Sequence, residues 1–305
     1  MADDLLHPAR RFLHLCYCTD DGGAVVDLMV DGLGLRKTME TPMEPNSGSL
    51  FNMEGDITTA AAFVYDARGP RRAPAIEVQT WRVPAPVGAP PTDVTRAGIQ
   101  ALGYAVPDAD ATVERLLALG CTEQDRGEGP AGERTVVLRD PNGVTLDIVA
   151  DEQVADVSNL HHVRITCTDL DASISWYDNL GWKAIERGSL ADPALYGHPG
   201  GDAEFARLRL PDEPTETYLV QWTEPASHGR HPAEAYHAGI FRIALGVDDT
   251  RASHDALVAS GLRFDRAPLL IELKGTPVPD MWICFLSDPD GVPYEFVQRP
   301  RDAFR

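Results

Sequence analysis

At 305 residues the chain can bury the cores of two domains, and 43% hydrophobic with 24% charged residues is ordinary globular composition. Its 27 basic against 47 acidic side chains leave a formal charge of −20 at pH 7, which repels nucleic-acid phosphates and anionic lipid headgroups. Neither class of partner is expected.

The N-terminus, MADDLLHPAR, lacks the apolar stretch of a secretory leader, and no later run nears the roughly 18 apolar residues of a membrane-spanning helix. Five cysteines without a C-x-x-C spacing indicate neither a disulfide framework nor a zinc knuckle, so reduced thiols in a cytoplasm are expected. The first structured stretch, LHLCYCTDDGGAVVDLMVDGLGLRK, reads as a strand, an aspartate cap, an amphipathic helix and a stop at Gly34. The pattern recurs in IQALGYAVPDADATVERLLALGCTEQ (stop at Gly120), HHVRITCTDLDASISWYDNLGWKAIER (Gly181) and IFRIALGVDDTRASHDALVASGLRFDR (Gly261). Alternating apolar segments after each helix predict three further strands, in the fourth module at about 262–265, 279–286 and 293–298, so the unit is βαβββ.

Modules two and four close on RDPNGVTLDIV and SDPDGVPYEFV, whose Asp-Pro-Asx-Gly is a strong tight-turn signal, whereas modules one and three close on AIEVQTW and TYLVQW. This alternation implies a duplicated two-module unit, dividing the chain into residues 1–150 and 151–305 with the polar stretch 150–159 as linker. Segments 84–91 and 223–239 connect the modules inside each half, and His228, His231 and His237 in the second read as solvated loop residues rather than metal ligands. The acidic, glycine-rich stretches 127–133 and 197–202 read as surface loops.

Four βαβββ modules, with HHVRITCTDL opening one and DPDGVPYEF closing another, resemble the vicinal oxygen chelate superfamily, which includes glyoxalase I, extradiol catechol dioxygenases, methylmalonyl-CoA epimerase, and fosfomycin and bleomycin resistance proteins. The resemblance spans about residues 11–300. It implies an α+β fold in which pairs of modules form two cupped mixed sheets, with metal ligands drawn from the first and last strands of each module. Pairing within halves, favoured by the alternating turns, offers His162, Tyr218, Arg242 and Glu295 in a C-terminal cup and His14, Glu77, Ala101 and Asp147 in an N-terminal one. His162 is the matching position rather than His161 because it immediately precedes the valine. Some members instead pair module one with module four, which would bring His14, Glu77, Arg242 and Glu295 together.

A divalent ion used as a Lewis acid wants at least three nitrogen or oxygen donors plus open positions. His162 and Glu295 qualify and Tyr218 is a weak third, but Arg242 cannot ligate because guanidinium keeps its proton. His14, Glu77 and Asp147 are three competent ligands, with Cys16 on the face of His14. The expected cofactor is none or one divalent metal ion, with Fe, Zn, Mn and Ni not distinguished. Strand parity places Arg164 beside His162 and Trp222 beside Tyr218, while Trp282 and Phe285 stand on a penultimate strand. Ring-cleaving members carry a His and a Tyr shortly before the last ligand; here Phe285 stands at the Tyr position and no His occurs between His254 and Glu295.

The expected function is an enzyme of isomerase or lyase type, acting on a small oxygenated organic molecule by acid–base chemistry through Glu295, His162 and Arg242. Arg164, Tyr218, Trp222, Trp282 and Phe285 would contact the substrate. In the alternative reading of the arginines, Arg242 and Arg164 form a structural ion pair with Glu295 in a vacated metal site. Two further functions stand beside the first: a metal-free protein that sequesters a drug-like molecule, and a ring-cleaving extradiol dioxygenase. The expected partner is a small molecule, and the chain as monomer or homodimer carries enough modules to complete a cup.

Overall fold

The structure, a computed structural model, describes residues 2–271 and 280–299. After a short helix α1 (Ala2–Leu6), module one comprises β1 (Arg11–Thr19), α2 (Gly22–Asp27) running into a π turn (Leu28–Gly32), β2 (Arg36–Glu40), β3 (Glu44–Ser47), a 3-10 turn (Gly48–Phe51), β4 (Asp56–Tyr65) and β5 (Ala75–Val83). Module two comprises β6 (Gly98–Val106), α3 (Ala109–Ala118), β7 (Thr122–Glu128), β8 (Arg134–Arg139) and β9 (Thr145–Ala150). Module three comprises β10 (Asn159–Thr166), α4 (Leu170–Leu180), β11 (Lys183–Ser189), a 3-10 turn (Pro193–Tyr196), β12 (Asp202–Arg209) and β13 (Glu216–Glu224). Module four comprises β14 (Gly239–Val247), α5 (Thr250–Ala259), β15 (Leu269–Ile271), β16 (Met281–Ser287) and β17 (Pro293–Gln298).

The repeat reflects repeated local chemistry. Asp21, Asp108, Asp169 and Asp249 each accept a backbone N–H of the first helical turn, from Ala24, Ala111, Ala172 and Ala252, filling one of the donors that a helix start leaves open. In the Asp-Pro-Asx-Gly turns, Asp140 Oδ1 accepts from the N–H groups of Asn142 and Val144, and Asp288 Oδ1 from those of Asp290 and Val292. Gly143 and Gly291 take φ near 90°, which a side chain would strain. One expected strand is displaced. The segment 262–265 forms a single bridge, Phe264 to Leu286, because the Phe264 ring turns in against Phe296 and His254, and pairing with β16 begins later, at β15. Residue 279, placed at the start of the next expected strand, lies outside the described residues, and β16 begins at Met281.

The sheets cross the sequence halves. One sheet runs β15-β16-β17-β14-β1-β5-β4-β2, with β3 on β4, and joins module four to module one; the other runs β11-β12-β13-β10-β6-β9-β8-β7 and joins module three to module two. Each seam is antiparallel, β1 with β14 and β6 with β10, and is flanked by the parallel partners β5 and β17, or β13 and β9. Pairing within halves, favoured by the turn pattern, is therefore corrected: each sequence repeat contributes half a sheet to each cup.

The main core takes alternate residues from the helix-covered faces of both sheets, such as Leu15 and Tyr17, Leu102 and Tyr104, Val163 and Ile165, and Ile243 and Leu245, together with the apolar sides of α2 to α5. The opposite faces point into the cups and form smaller clusters. Among the described residues no helix is long and apolar enough to cross a membrane, and all five cysteines are free and buried.

His231, expected to be solvated, is buried. Its Nδ1 accepts the Ile99 N–H at 3.4 Å and its Nε2–H donates to the Phe241 carbonyl at 2.8 Å, so one neutral imidazole rivets β6 of one cup to β14 of the other. His228 is exposed on Asp93, and His237 is half-buried with a contact to the Ala238 carbonyl. Burial is the main cause that lowers the His231 pKa to about 4. Because this lies below the unfolded value of about 6.5, the contribution of His231 to stability is complete above pH 6.5 and is lost as pH falls toward 4. Urea denaturation between those pH values should show stability falling on acidification, with a shallower slope in His231→Gln; an unchanged slope would refute the rivet.

Candidate functional site

The cross-half pairing sets four equivalent positions in each cup. In the module-one/module-four cup, β5, β1, β14 and β17 lie side by side; Cys16 stands opposite both Glu77 and Arg242, and Ala244 opposite both His14 and Glu295. His14, Cys16 and Cys18 alternate along β1 and share its inward face, while a register shift at Leu13 turns that side chain to the cup side and leaves Phe12 in the core. In the module-two/module-three cup the same levels carry His162, Tyr218, Ala101 and Asp147.

In the first cup the Arg242 guanidinium is the hub. Its Nε donates to Glu295 Oε2 at 2.9 Å and one Nη2–H to Glu77 Oε2 at 2.7 Å. Its Nη1 reaches Gln79 Oε1 at 3.1 Å and Cys16 Sγ at 3.3 Å, and the Phe51 ring lies 5.2 Å from its carbon. His14 Nε2 stands 3.3 Å from Glu77 Oε2 and 3.5 Å from Glu295 Oε2, within ion-pair reach of both but without a well-directed hydrogen bond to either. Burial alone would raise the Glu295 carboxyl, but Arg242 and then the nearby His14 outweigh it and hold the group at about 2. Burial, then Cys18, pushes the Cys16 thiol well above its ordinary value, so this sulfur is a neutral thiol. Phe51, Met53, Trp81, Tyr236 and Phe241 cluster on one side of the site, with Leu50, Leu269, Met281 and Phe285 on the other.

The second cup is closed. Arg164 grips Asp147 through Nε at 2.8 Å and Nη2 at 3.0 Å, under the Tyr196 ring 4.0 Å away. His162 Nε2 meets the same carboxylate at 3.2 Å, and its ring lies flat on Tyr218, 4.0 Å between centroids. Asp147 is 0% and His162 1% exposed. Gly103 makes this possible, since a Cβ there would lie 2.1 Å from the His162 ring. Burial would raise the Asp147 carboxyl, but Arg164 and His162 hold it well below the usual carboxylate range.

Several expectations change with the pairing. Glu295 and Arg242 meet as expected, but His162 and Tyr218 stand in the other cup, with Asp147 rather than with them. Asp147 is correspondingly separated from His14 and Glu77, and Arg164 pairs with Asp147 rather than approaching Glu295. Trp222 is 1% exposed and belongs to the interior cluster of the closed cup. Trp282 shares the parity of the core residues Cys284 and Leu286 and carries Arg251 of α5 over its ring, so it faces the helix and not a cup; Phe285 does point inward. Gln79, two residues after Glu77, was accessible to strand parity. Phe51 and Tyr196 sit in 3-10 turns without periodic signal.

The two halves match the profile of the glyoxalase/bleomycin resistance protein/dioxygenase superfamily over residues 11–148 and 159–296. The chain belongs to this superfamily. No curated protein matches it. Among solved structures it resembles glyoxalase I from Zea mays, with 17% identity, 99% of this chain and 96% of that one covered, and a TM-score of 0.70. It also resembles a putative dioxygenase from Bacillus subtilis, with 17% identity, coverage of 95% and 85%, and a TM-score of 0.63. Likeness at this identity establishes the fold, and one fold of this kind hosts many chemistries.

Members of this superfamily are often metal-dependent, and the first cup offers His14, Glu77 and Glu295 as donors. They do not fit an ion as they stand. The same two carboxylate oxygens that would ligate it accept the Arg242 hydrogen bonds, and among the described residues no cluster of three such side chains has metal-binding geometry. A divalent ion some 4 Å from a guanidinium would be disfavoured by roughly 8 kcal/mol at an effective dielectric of about 20, relative to a neutral residue there. Of the alternative reading, Arg242 does pair with Glu295, with Glu77 as a second acid, whereas Arg164 stands in the other cup on Asp147.

The closed cup predicts a purely structural phenotype. Asp147→Ala leaves Arg164 buried and unpaired and should cost about 3–5 kcal/mol in urea unfolding; a loss below about 1 kcal/mol, the worth of an exposed pair, would show that the pair is not buried as described.

Proposed function

We propose that the module-one/module-four cup is the working site of an enzyme that moves a proton on a small oxygenated organic molecule, an isomerase- or lyase-type reaction. The observation that carries this is His14 Nε2, buried within 3.5 Å of two carboxylates and without a well-directed hydrogen bond to either. Glu77, Glu295 and Arg242 sum to one negative charge, so a proton arriving on His14 brings the set to neutrality. His14 is then the base, Glu77 and Glu295 hold the imidazolium it becomes, and Arg242 keeps both carboxylates in place. Arg242 is a positioning residue here and not a free grip for a substrate anion, because each of its nitrogens already donates within the protein. Phe51, Phe285 and the neighbouring apolar side chains supply a wall for the carbon skeleton.

The closed cup takes no part in this reading, and His162, Asp147 and Arg164 hold structure. Ring cleavage is not proposed, because the donors it would need are committed to Arg242. Binding without turnover is the outcome that would replace the proposal.

The test is hydrogen exchange in D2O, followed by proton NMR, over a panel of 2-oxo acids and 2-hydroxycarbonyl compounds. The chain should catalyse exchange of the hydrogen next to the carbonyl in at least one member, and His14→Gln should slow it by roughly 10²- to 10⁴-fold. Ligand binding without exchange in any member, or exchange that survives His14→Gln, would leave a binding protein as the better account.

A further inference from the structure

We infer that Arg242 is the resident cation of the module-one/module-four cup, a guanidinium standing where a superfamily member would place a divalent ion, so that the chain holds its acidic cluster together without a metal. This deepens the reading of the same cup given above and names what replaces the ion.

The acceptor set is built for a guanidinium. Glu295 Oε2, Gln79 Oε1, Cys16 Sγ and Glu77 Oε2 surround Arg242 at 2.7–3.3 Å, one carboxylate on Nε, the other on Nη2, and the neutral amide and thiol on Nη1. A planar fork with five donors satisfies all four of these acceptors at once. The position is also fully enclosed, Arg242 being 3% exposed, and the Phe51 ring covers it. A buried charge of this kind persists when paired and hydrogen-bonded, and this one is.

The second cup supports the inference independently. There too the inward carboxylate of the last strand, Asp147, is taken up by a buried guanidinium beneath an aromatic ring from a 3-10 turn. Yet Arg164 comes from β10, at the position that Cys16 holds on β1, and not from β6, where the counterpart of Arg242 is Ala101. Two cups have reached the same charge compensation from different strands, which marks it as a requirement of the buried carboxylates and not an accident of one position.

Charge also accounts for the pairing of modules. Joined within halves, one cup would hold Glu77 and Asp147 with no arginine, a formal −2, and the other Arg164, Arg242 and Glu295, a formal +1. Joined across halves, the sums become −1 and 0. Low-dielectric interiors penalise uncompensated charge heavily, so the crossed arrangement is the one in which each acid finds its cation.

The experiment uses the full chain, purified without chelators and with any affinity tag removed. Elemental analysis, then titration with Zn2+ and with Mn2+ followed by thermal denaturation, should find substoichiometric metal in the wild type and no shift of its midpoint with either ion. In Arg242→Ala, which leaves two carboxylates facing one another, both Zn2+ and methylguanidinium should raise the midpoint, and Arg242→His should bind Zn2+ at least about a hundredfold more tightly than the wild type does. One firmly held divalent ion per wild-type chain would overturn the inference, as would an Arg242→Ala protein that responds to neither cation. If neither variant folds, the wild-type metal content decides alone. These readouts need no substrate, so they can fail while the acid–base reading stands, and the reverse.

Discussion

Two carboxylates that face the inside of a protein must be given a positive charge, and in this chain that constraint is met by Arg242. Its bonds to Glu77 and Glu295 span β5, β14 and β17, and its bond to Cys16 reaches β1, so one guanidinium ties all four central strands of the sheet. Because β1 and β5 belong to the first module and β14 and β17 to the last, the contact also closes the chain on itself across more than 160 residues. His14 Nε2 stands within 3.5 Å of the same two carboxylate oxygens that accept from the arginine.

The cups have diverged from this common plan. Where His14 keeps a bare nitrogen beside the acids, its counterpart His162 is spent, bonded to Asp147 on one side and to His161 Nδ1 at 2.9 Å on the other, with Tyr218 pressed on its face. The glycine that makes room for that ring, Gly103, stands opposite His162 on the neighbouring strand. One cup thus contributes rigidity and the other retains groups with unused chemical capacity, a division that suits a fold built from repeated modules. The aromatic lids, Phe51 and Tyr196, come from matched 3-10 turns, but only Tyr196 is fully buried over its arginine.

Much of this was legible in the amino-acid order. The aspartate caps, the glycine stops and the Asp-Pro-Asx-Gly turns are local chemistry, and the four modules they delimit are present, module one with an additional strand, β3. His14, Glu77, Arg242 and Glu295, the positions that the resemblance supplied, lie on inward faces, and strand parity set Cys16 beside His14. It did not decide which faces share a cup, because turn type reports the path within a module and says nothing about which first strands meet. The formal charges of the inward residues held that information, and weighing them would have favoured the crossed pairing. Trp282 escaped for a different reason: on β16 only the contact with Arg251 of α5 reveals which way the side chain points. His231 escaped because a polar, histidine-rich connector gives no sign that one of its rings bridges two strands.

The central claim, that a guanidinium occupies the place of an ion among His14, Glu77 and Glu295, is tested most directly by diffraction from crystals grown with zinc and measured at its absorption edge. The account predicts no anomalous peak among those three side chains, with Arg242 still bonded to both carboxylates. A peak within ligand distance of His14 Nε2 and both glutamates, with the Arg242 side chain turned away, would contradict it.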